Sequence, residues 1–280
     1  MIRRIPRDMV QHQAMNVEQR RSVVLEETAH RPFPTPARAW TMTQSWNDLL
    51  FAHWPIAPET MAALLPAGLE VDTFDGYAWA GVVPFWMDRI RHRIPGSADR
   101  RLAIPMVETF PELNLRTYVR SRLTGRAGVF FFSLDAASLL AVIGARTIFH
   151  LPYFYADMVR ETAADGTVRY KSRRLFTRDE VSFQATYRGL GRPIEATPSQ
   201  PGSIEHFLTE RYCLFTTFRD RLLVGNIHHK PWPLEPAEAE IRTNRLAAPH
   251  GLVLPARPPL LHFSRALEVY IWPLEPDGSV

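Results

Sequence analysis

The sequence predicts an α+β, β-rich fold: an antiparallel barrel or cone with a few helices packed on its outside. Three observations lead there. Short alternating runs recur along the chain, and two of them are separated by an Asp-Gly pair, Asp75-Gly76 and Asp165-Gly166, the dipeptide that favours tight hairpin turns. Proline supplies 24 of the 280 residues, against a usual share of about 5%, and that density cuts the chain into short elements and excludes coiled coils. A hydrophobic content of 46%, with 22% charged, is enough for a packed core and excludes a disordered chain.

The elements follow in order. Residues 58–65 read as a short helix opened by Pro58. Leu69–Thr73 and Tyr77–Val83 read as strands joined across Asp75-Gly76. Residues 113–120 alternate cleanly: Asn114, Arg116, Tyr118 and Arg120 share one face, and Leu113, Leu115, Thr117 and Val119 the other. Gly128–Asp135 pairs with that strand across Thr124-Gly125. Residues 136–145 read as a buried helix with Ala137, Leu140 and Ile143 on its apolar face. Strands 156–162 and 168–175 form a hairpin over Asp165-Gly166, and 181–188 adds another strand. Ser203 is a good N-cap for a helix through Thr209. Residues 212–218 and 222–228 form a further hairpin, and 267–272 supply the last strand.

Residues 1–38 differ in character. A basic start runs into polar Gln11-His12-Gln13 with no apolar core behind it, which is not the pattern of a signal peptide. Residues 17–29 read as a short amphipathic helix, and Arg31-Pro32-Phe33-Pro34-Thr35-Pro36 must be extended. We read 1–38 as a loosely attached N-terminal arm and 39–280 as one domain. No apolar run approaches the roughly 18 residues of a membrane span, so the expectation is a cytoplasmic protein with no membrane partner.

Of 33 basic residues only Lys171 and Lys230 are lysines, and 29 acidic residues leave a net charge of +4. The arginines alternate with acids and have no stacking platform of aromatics, so no nucleic-acid surface is expected. The single cysteine, Cys213, excludes a disulfide framework and multi-cysteine metal sites. His228 and His229 are adjacent and point to opposite sides of a strand, which argues against a shared metal. No metal and no cofactor are expected, and a homo-oligomer is left open.

Several strings resemble one bacterial family. They include Gln44-Ser45-Trp46-Asn47-Asp48-Leu49-Leu50-Phe51-Ala52-His53-Trp54-Pro55, Pro111-Glu112-Leu113-Asn114-Leu115-Arg116-Thr117-Tyr118-Val119, Leu151-Pro152-Tyr153-Phe154, Thr209-Glu210-Arg211-Tyr212 and His228-His229-Lys230-Pro231-Trp232-Pro233-Leu234. Together they resemble the YqjF-like family, a domain of unknown function, which is itself similar to the acetoacetate decarboxylase superfamily. The resemblance implies a β-barrel-like cone around a mostly apolar pocket. In that superfamily one of two adjacent lysines forms a Schiff base. The similar segment here implies that Tyr153 and Phe154 stand in their place, and a phenol forms no imine. Lys230, beside the two histidines, is the better placed of the two lysines to substitute.

The candidate ligand-binding residues are Asn114, Arg116, Tyr118 and Arg146. Glu112, Asn114, Arg116 and Tyr118 project at period two from one strand, which either lines a cavity or forms a polar outer face. An arginine beside an acid and a phenol suits a carboxylate or keto acid. Asp135 is placed to pair with Arg116 or Arg146. The candidate catalytic residues are Tyr153, Glu112 and His229. The expected function is binding of a small apolar carboxylate or carbonyl compound in an internal pocket, without Schiff-base decarboxylation. The alternatives are an acid–base enzyme of lyase or hydro-lyase type in the same pocket, and a non-catalytic structural or interaction protein.

Overall fold

The computed structural model describes residues 24–97, 100–191 and 200–279. Thirteen strands dominate: β1 (Met42–Ile56), β2 (Leu69–Val71), β3 (Ala78–Arg93), β4 (Arg101–Leu102), β5 (Phe110–Ser121), β6 (Ala127–Ala136), β7 (Tyr153–Thr162), β8 (Val168–Arg174), β9 (Ser182–Gly189), β10 (Cys213–Phe218), β11 (Arg221–His228), β12 (Glu235–Asn244) and β13 (Leu260–Pro276). Among the described residues the α-helices α1 (Pro58–Ala62), α2 (Leu139–Ile148) and α3 (Ile204–Thr209) accompany them, with a 3-10 turn at Ala248–His250.

The sheet forks. Strands β13, β1, β3, β5 and β6 lie side by side and are shared by two closed rings. The first half of β6 continues to β10, through Leu214↔Val129, while its second half continues to β7, through Leu134↔Tyr153. Strand β13 forks likewise, pairing with β12 at Phe263 and with β11 from Tyr270 onward. Strands β10 and β11 therefore close a ring on one face of the shared sheet, and β7, β8, β9 and β12 close a larger one on the other. The larger ring is packed solid by Leu50, Ala52, Trp54, Leu113, Leu115, Tyr170, Phe183, Tyr187 and Phe263.

Two bulges keep the other face in phase. On β1, Met42, Gln44 and Trp46 line the cavity before Asp48, whose φ is 46°, and Leu49 and Phe51 continue the apolar cluster beside it after that residue. On β3 the same happens around Arg89, φ 51°, between Phe85 and Met87 on one side and Ile90 and His92 on the other. An extra residue in a strand flips the alternation, so residues before and after each bulge share that face.

Several expectations change. The Asp75-Gly76 turn forms, with both residues at positive φ, but it closes only the Phe74↔Tyr77 bridge. Its expected flanking strands do not pair with each other: β2 pairs with β5, through Leu69↔Ser121. The pairings of β6 with β7 and β10 are parallel in an otherwise antiparallel sheet. Strand β12 falls outside the expected elements, because its inward residues Ala237 and Ala239 are small and alternate with surface Glu238 and Glu240. The expected buried helix begins three residues later, at Leu139, and only Val142 of it is buried; Leu140 and Ile143 are exposed.

The expected loose arm divides. Residues 1–23 lie outside the described residues, but 24–38 are seated on β11. Val24 and Arg31 are buried, and the Val24 carbonyl is hydrogen-bonded to His228 Nε2 at 2.6 Å. Arg31 donates to the Ile227 carbonyl at 2.7 Å, and Glu27 pairs with Lys230 at 2.6 Å. Of the helix expected at 17–29, residues 24–26 are helical among those described.

Candidate functional site

The smaller ring is not filled. It holds a cavity of about 400 Å³ walled by Trp46, Phe85, Phe131, Leu134 and Trp232 and reaching Glu112, Arg116, Tyr153, Thr209, Arg211 and His229. Aromatic packing fixes the wall: Trp232 meets Phe51 edge-on at 4.8 Å between centroids and stacks on Trp46 at 5.9 Å. Helix α2 covers the mouth, with Leu140, Ala141, Gly144, Ala145 and Ile148 on the lining and Ile104 opposite. Ser138 caps the helix by accepting from the Ala141 amide, and its hydroxyl donates to the Met106 carbonyl at 3.0 Å, tying the cover to the segment before β5.

Strand β5 supplies two polar groups. Glu112 is fully enclosed and accepts a 2.7 Å hydrogen bond from the Tyr153 hydroxyl. Burial pushes its carboxyl up to about 7, while the Tyr153 and Asn114 side chains, which hydrogen-bond it, pull the other way. Burial, with Glu112 alongside, raises the Tyr153 phenol well above its ordinary value, so it remains a donor. Four residues on, Arg116 is buried and has no carboxylate partner among the described residues. Its guanidinium lies over the Phe51 ring at 5.1 Å and donates to the Tyr118 hydroxyl at 3.2 Å, and its Nε has no hydrogen-bond partner. Gly81 faces it across the sheet; a Cβ there would sit 3.3 Å from Arg116 Cγ and 3.0 Å from the His53 ring.

The other candidates separate. Tyr118 is buried behind the wall, between Phe207 and the His53 ring, whose Nε2 shares a 2.6 Å hydrogen bond with its hydroxyl; it positions Arg116 and does not line the cavity. Asn114 is buried beside Glu112 and supports it in the same way. Arg146 is exposed on the outer side of α2 and is absent from the lining: the helix turns it to solvent. Asp135 faces the opposite chamber and pairs with Arg174 at 2.7 Å, not with Arg116 or Arg146. His229 does line the cavity. The Lys230 carbonyl accepts from its Nδ1 at 2.7 Å, which leaves Nε2 as the lone-pair nitrogen, and burial keeps the ring's pKa below its ordinary value. His228 points the other way, into the docked N-terminal segment.

Arg211 and Thr209 line the cavity without having been singled out. Arg211 is held by Asp72 at 2.6 Å, so its charge is already balanced. No lysine reaches the cavity: Lys171 is exposed on β8, and Lys230 pairs with Glu27. Among the described residues no cluster of three or more metal-ligating side chains occurs, and no helix is long and apolar enough to cross a membrane.

Comparison with known proteins agrees with this architecture. Residues 43–268 match the DUF2071 family, described as an uncharacterized conserved protein. The uncharacterized protein YqjF of Bacillus subtilis (strain 168) is 45% identical over 250 residues, covering 89% of this chain and 98% of that one. Among solved structures, the enduracididine biosynthesis enzyme MppR complexed with pyruvate superposes with a TM-score of 0.56 at 11% identity, over 86% of this chain and 92% of that one. An acetoacetate decarboxylase-like enzyme from Sphingomonas wittichii RW1 gives 0.54 at 16%, over 89% and 99%. The acetoacetate decarboxylase of Legionella pneumophila gives 0.51 at 18%, over 89% and 94%. At these identities the likeness is one of fold.

Proposed function

The chain belongs to the DUF2071 family, and from that premise we propose that it binds a small apolar carboxylate in the cavity of its smaller ring, with the carboxylate on Arg116. One observation carries this reading: a buried guanidinium beside an apolar cavity has no carboxylate partner among the described residues. Burying a charge without a partner is costly, and a bidentate carboxylate is the ligand whose geometry matches a guanidinium. The apolar walls then select the rest of the ligand by burial. The acetoacetate decarboxylase-like fold supports an internal pocket as the working site, but the Schiff-base chemistry of that superfamily has no amine here, since Tyr153 stands at the cavity and both lysines are outside it.

The test is a thermal-shift series of straight-chain carboxylic acids against wild type and Arg116→Ala. At a hundred times its Kd a ligand that binds only the folded state stabilises it by about 2.7 kcal/mol. We expect stabilisation that grows with chain length until the cavity is full and that is lost in Arg116→Ala. A shift of equal size in both proteins, or none with any acid, overturns the reading.

A further inference from the structure

The cavity has a second polar pole that a carboxylate on Arg116 leaves unused. Glu112 and Arg116 project from the same face of β5, four residues apart, which is roughly 13 Å at about 3.3 Å per residue. The register shift opposite Leu115 and Arg116 places its extra residue, Phe132, on β6, so β5 itself runs unbroken through this span. The Arg116 guanidinium is anchored on Tyr118, on the side away from Glu112. Between the poles the lining is apolar, from Phe131 and Leu134 to Phe85 and Trp232. One molecule touching both poles therefore carries a carboxylate at one end and a polar group at the other, with an apolar spacer between.

We propose that Glu112 and Tyr153 form an acid–base site that moves a proton at the carbon beside a ketone, on an oxo acid whose ketone and carboxylate are separated by several methylene groups. The proposal rests on the reading that Arg116 holds the carboxylate. Its geometry is that of a hydrogen-bonded carboxyl and phenol, buried together at the cavity wall. The carboxylate of Glu112 takes a proton from the carbon next to the carbonyl. The C–H electron pair becomes the C=C bond of the enolate, and the carbonyl π pair moves onto oxygen. As Glu112 gains the proton it needs the phenol's hydrogen bond less, and the Tyr153 O–H turns to the enolate oxygen. Return of the proton from Glu112 to carbon restores the ketone, so no oxidant or co-reactant is required. Burial raises the Glu112 carboxyl to about 7, which suits a general base.

The experiment is proton–deuterium exchange followed by NMR in D2O, with 7-oxooctanoate and 2-oxooctanoate as probes and binding of each measured separately by calorimetry. These acids have the same number of carbons and differ in where the ketone lies. We expect the protein to accelerate exchange beside the ketone of 7-oxooctanoate, and to accelerate that of 2-oxooctanoate at least tenfold less, each relative to buffer. Glu112→Gln, nearly isosteric, is expected to lose about 100-fold or more of the acceleration, the scale of general-base catalysis, with binding retained; Tyr153→Phe is expected to lose less. Binding of 7-oxooctanoate without exchange, exchange unchanged in Glu112→Gln, or faster exchange of 2-oxooctanoate overturns the proposal and leaves the binding reading intact. Failure of both acids to bind overturns both.

Discussion

The two chambers on either side of the shared sheet treat buried polar groups in opposite ways. In the larger ring the Tyr170 hydroxyl donates to the Glu112 carbonyl at 2.7 Å with the Phe85 carbonyl 3.1 Å away, Tyr187 donates to the Asp48 carbonyl, and Arg174 is paired with Asp135. In the smaller ring Arg116 has no carboxylate, Glu112 is held by a phenol and an amide with no cation, and His229 offers a bare Nε2. What differs is the buried charge: Arg174 has a carboxylate beside it, and Arg116 has none among the described residues. A buried guanidinium without a carboxylate beside an open, mostly apolar volume is the arrangement on which the proposed carboxylate site rests.

The sharpest way to break this comparison is to remove one arginine from each chamber. Arg174→Met strands the enclosed Asp135 carboxylate and is expected to cost about 3–5 kcal/mol of folding stability. Arg116→Met strands no carboxylate and is expected to cost less than about 1 kcal/mol or to stabilise, since a desolvated charge is removed. Urea unfolding of both variants decides; equal losses would mean that the chambers do not differ as described.

The next effect is a pH dependence. An unfolded Glu112 ionises near its ordinary value of 4.5, whereas in the fold it does so at about 7. Between those values the unfolded chain holds fewer protons, so stability falls as pH rises, by about 1.4 kcal/mol per unit. Glu112→Gln removes that dependence: it should match wild type near pH 4.5 and exceed it by roughly 3 kcal/mol at pH 8. Unfolding curves at the two pH values give the result, and a variant less stable at pH 8 would contradict the assignment. A smaller loss is expected for Tyr170→Phe, about 1–2 kcal/mol by calorimetry, because the Glu112 carbonyl loses its donor in a closed core. Smallest is Lys230→Gln, whose half-exposed pair with Glu27 is worth under about 1 kcal/mol and whose loss should leave carboxylate affinity unchanged in calorimetry; a loss of affinity would bring the lysine back into the site.

How much of this was legible depended on distance along the chain. The hairpin over Asp165-Gly166 and the alternation of Glu112, Asn114, Arg116 and Tyr118 are local, and period two placed those four side chains on one face. Which of the four reach open volume is decided elsewhere: Tyr118 is covered by Phe207 of α3, a contact no local pattern announces. Arg146 failed for the same reason, since helix periodicity shows that a face exists but not what lies against it. Strand β2 chose β5 over its near neighbour β3 through residues about fifty positions away. Arg211 was passed over because the acid that balances it, Asp72, is far behind it in the chain. Tyr153 came to notice through family resemblance, and the structure joins it to Glu112.

The forked sheet also means that each shared strand carries two interleaved messages. Along β5, Leu113 and Leu115 speak to the solid core, and Glu112 and Arg116 to the cavity. Substituting one set leaves the other's neighbours untouched, so the cavity lining and the packed core can drift on separate clocks. A single inserted residue is another matter. It would exchange the two sets from that point onward, pushing an arginine into the packed chamber and leucines into the empty one, so in these strands changes of letter are cheap and changes of spacing are ruinous.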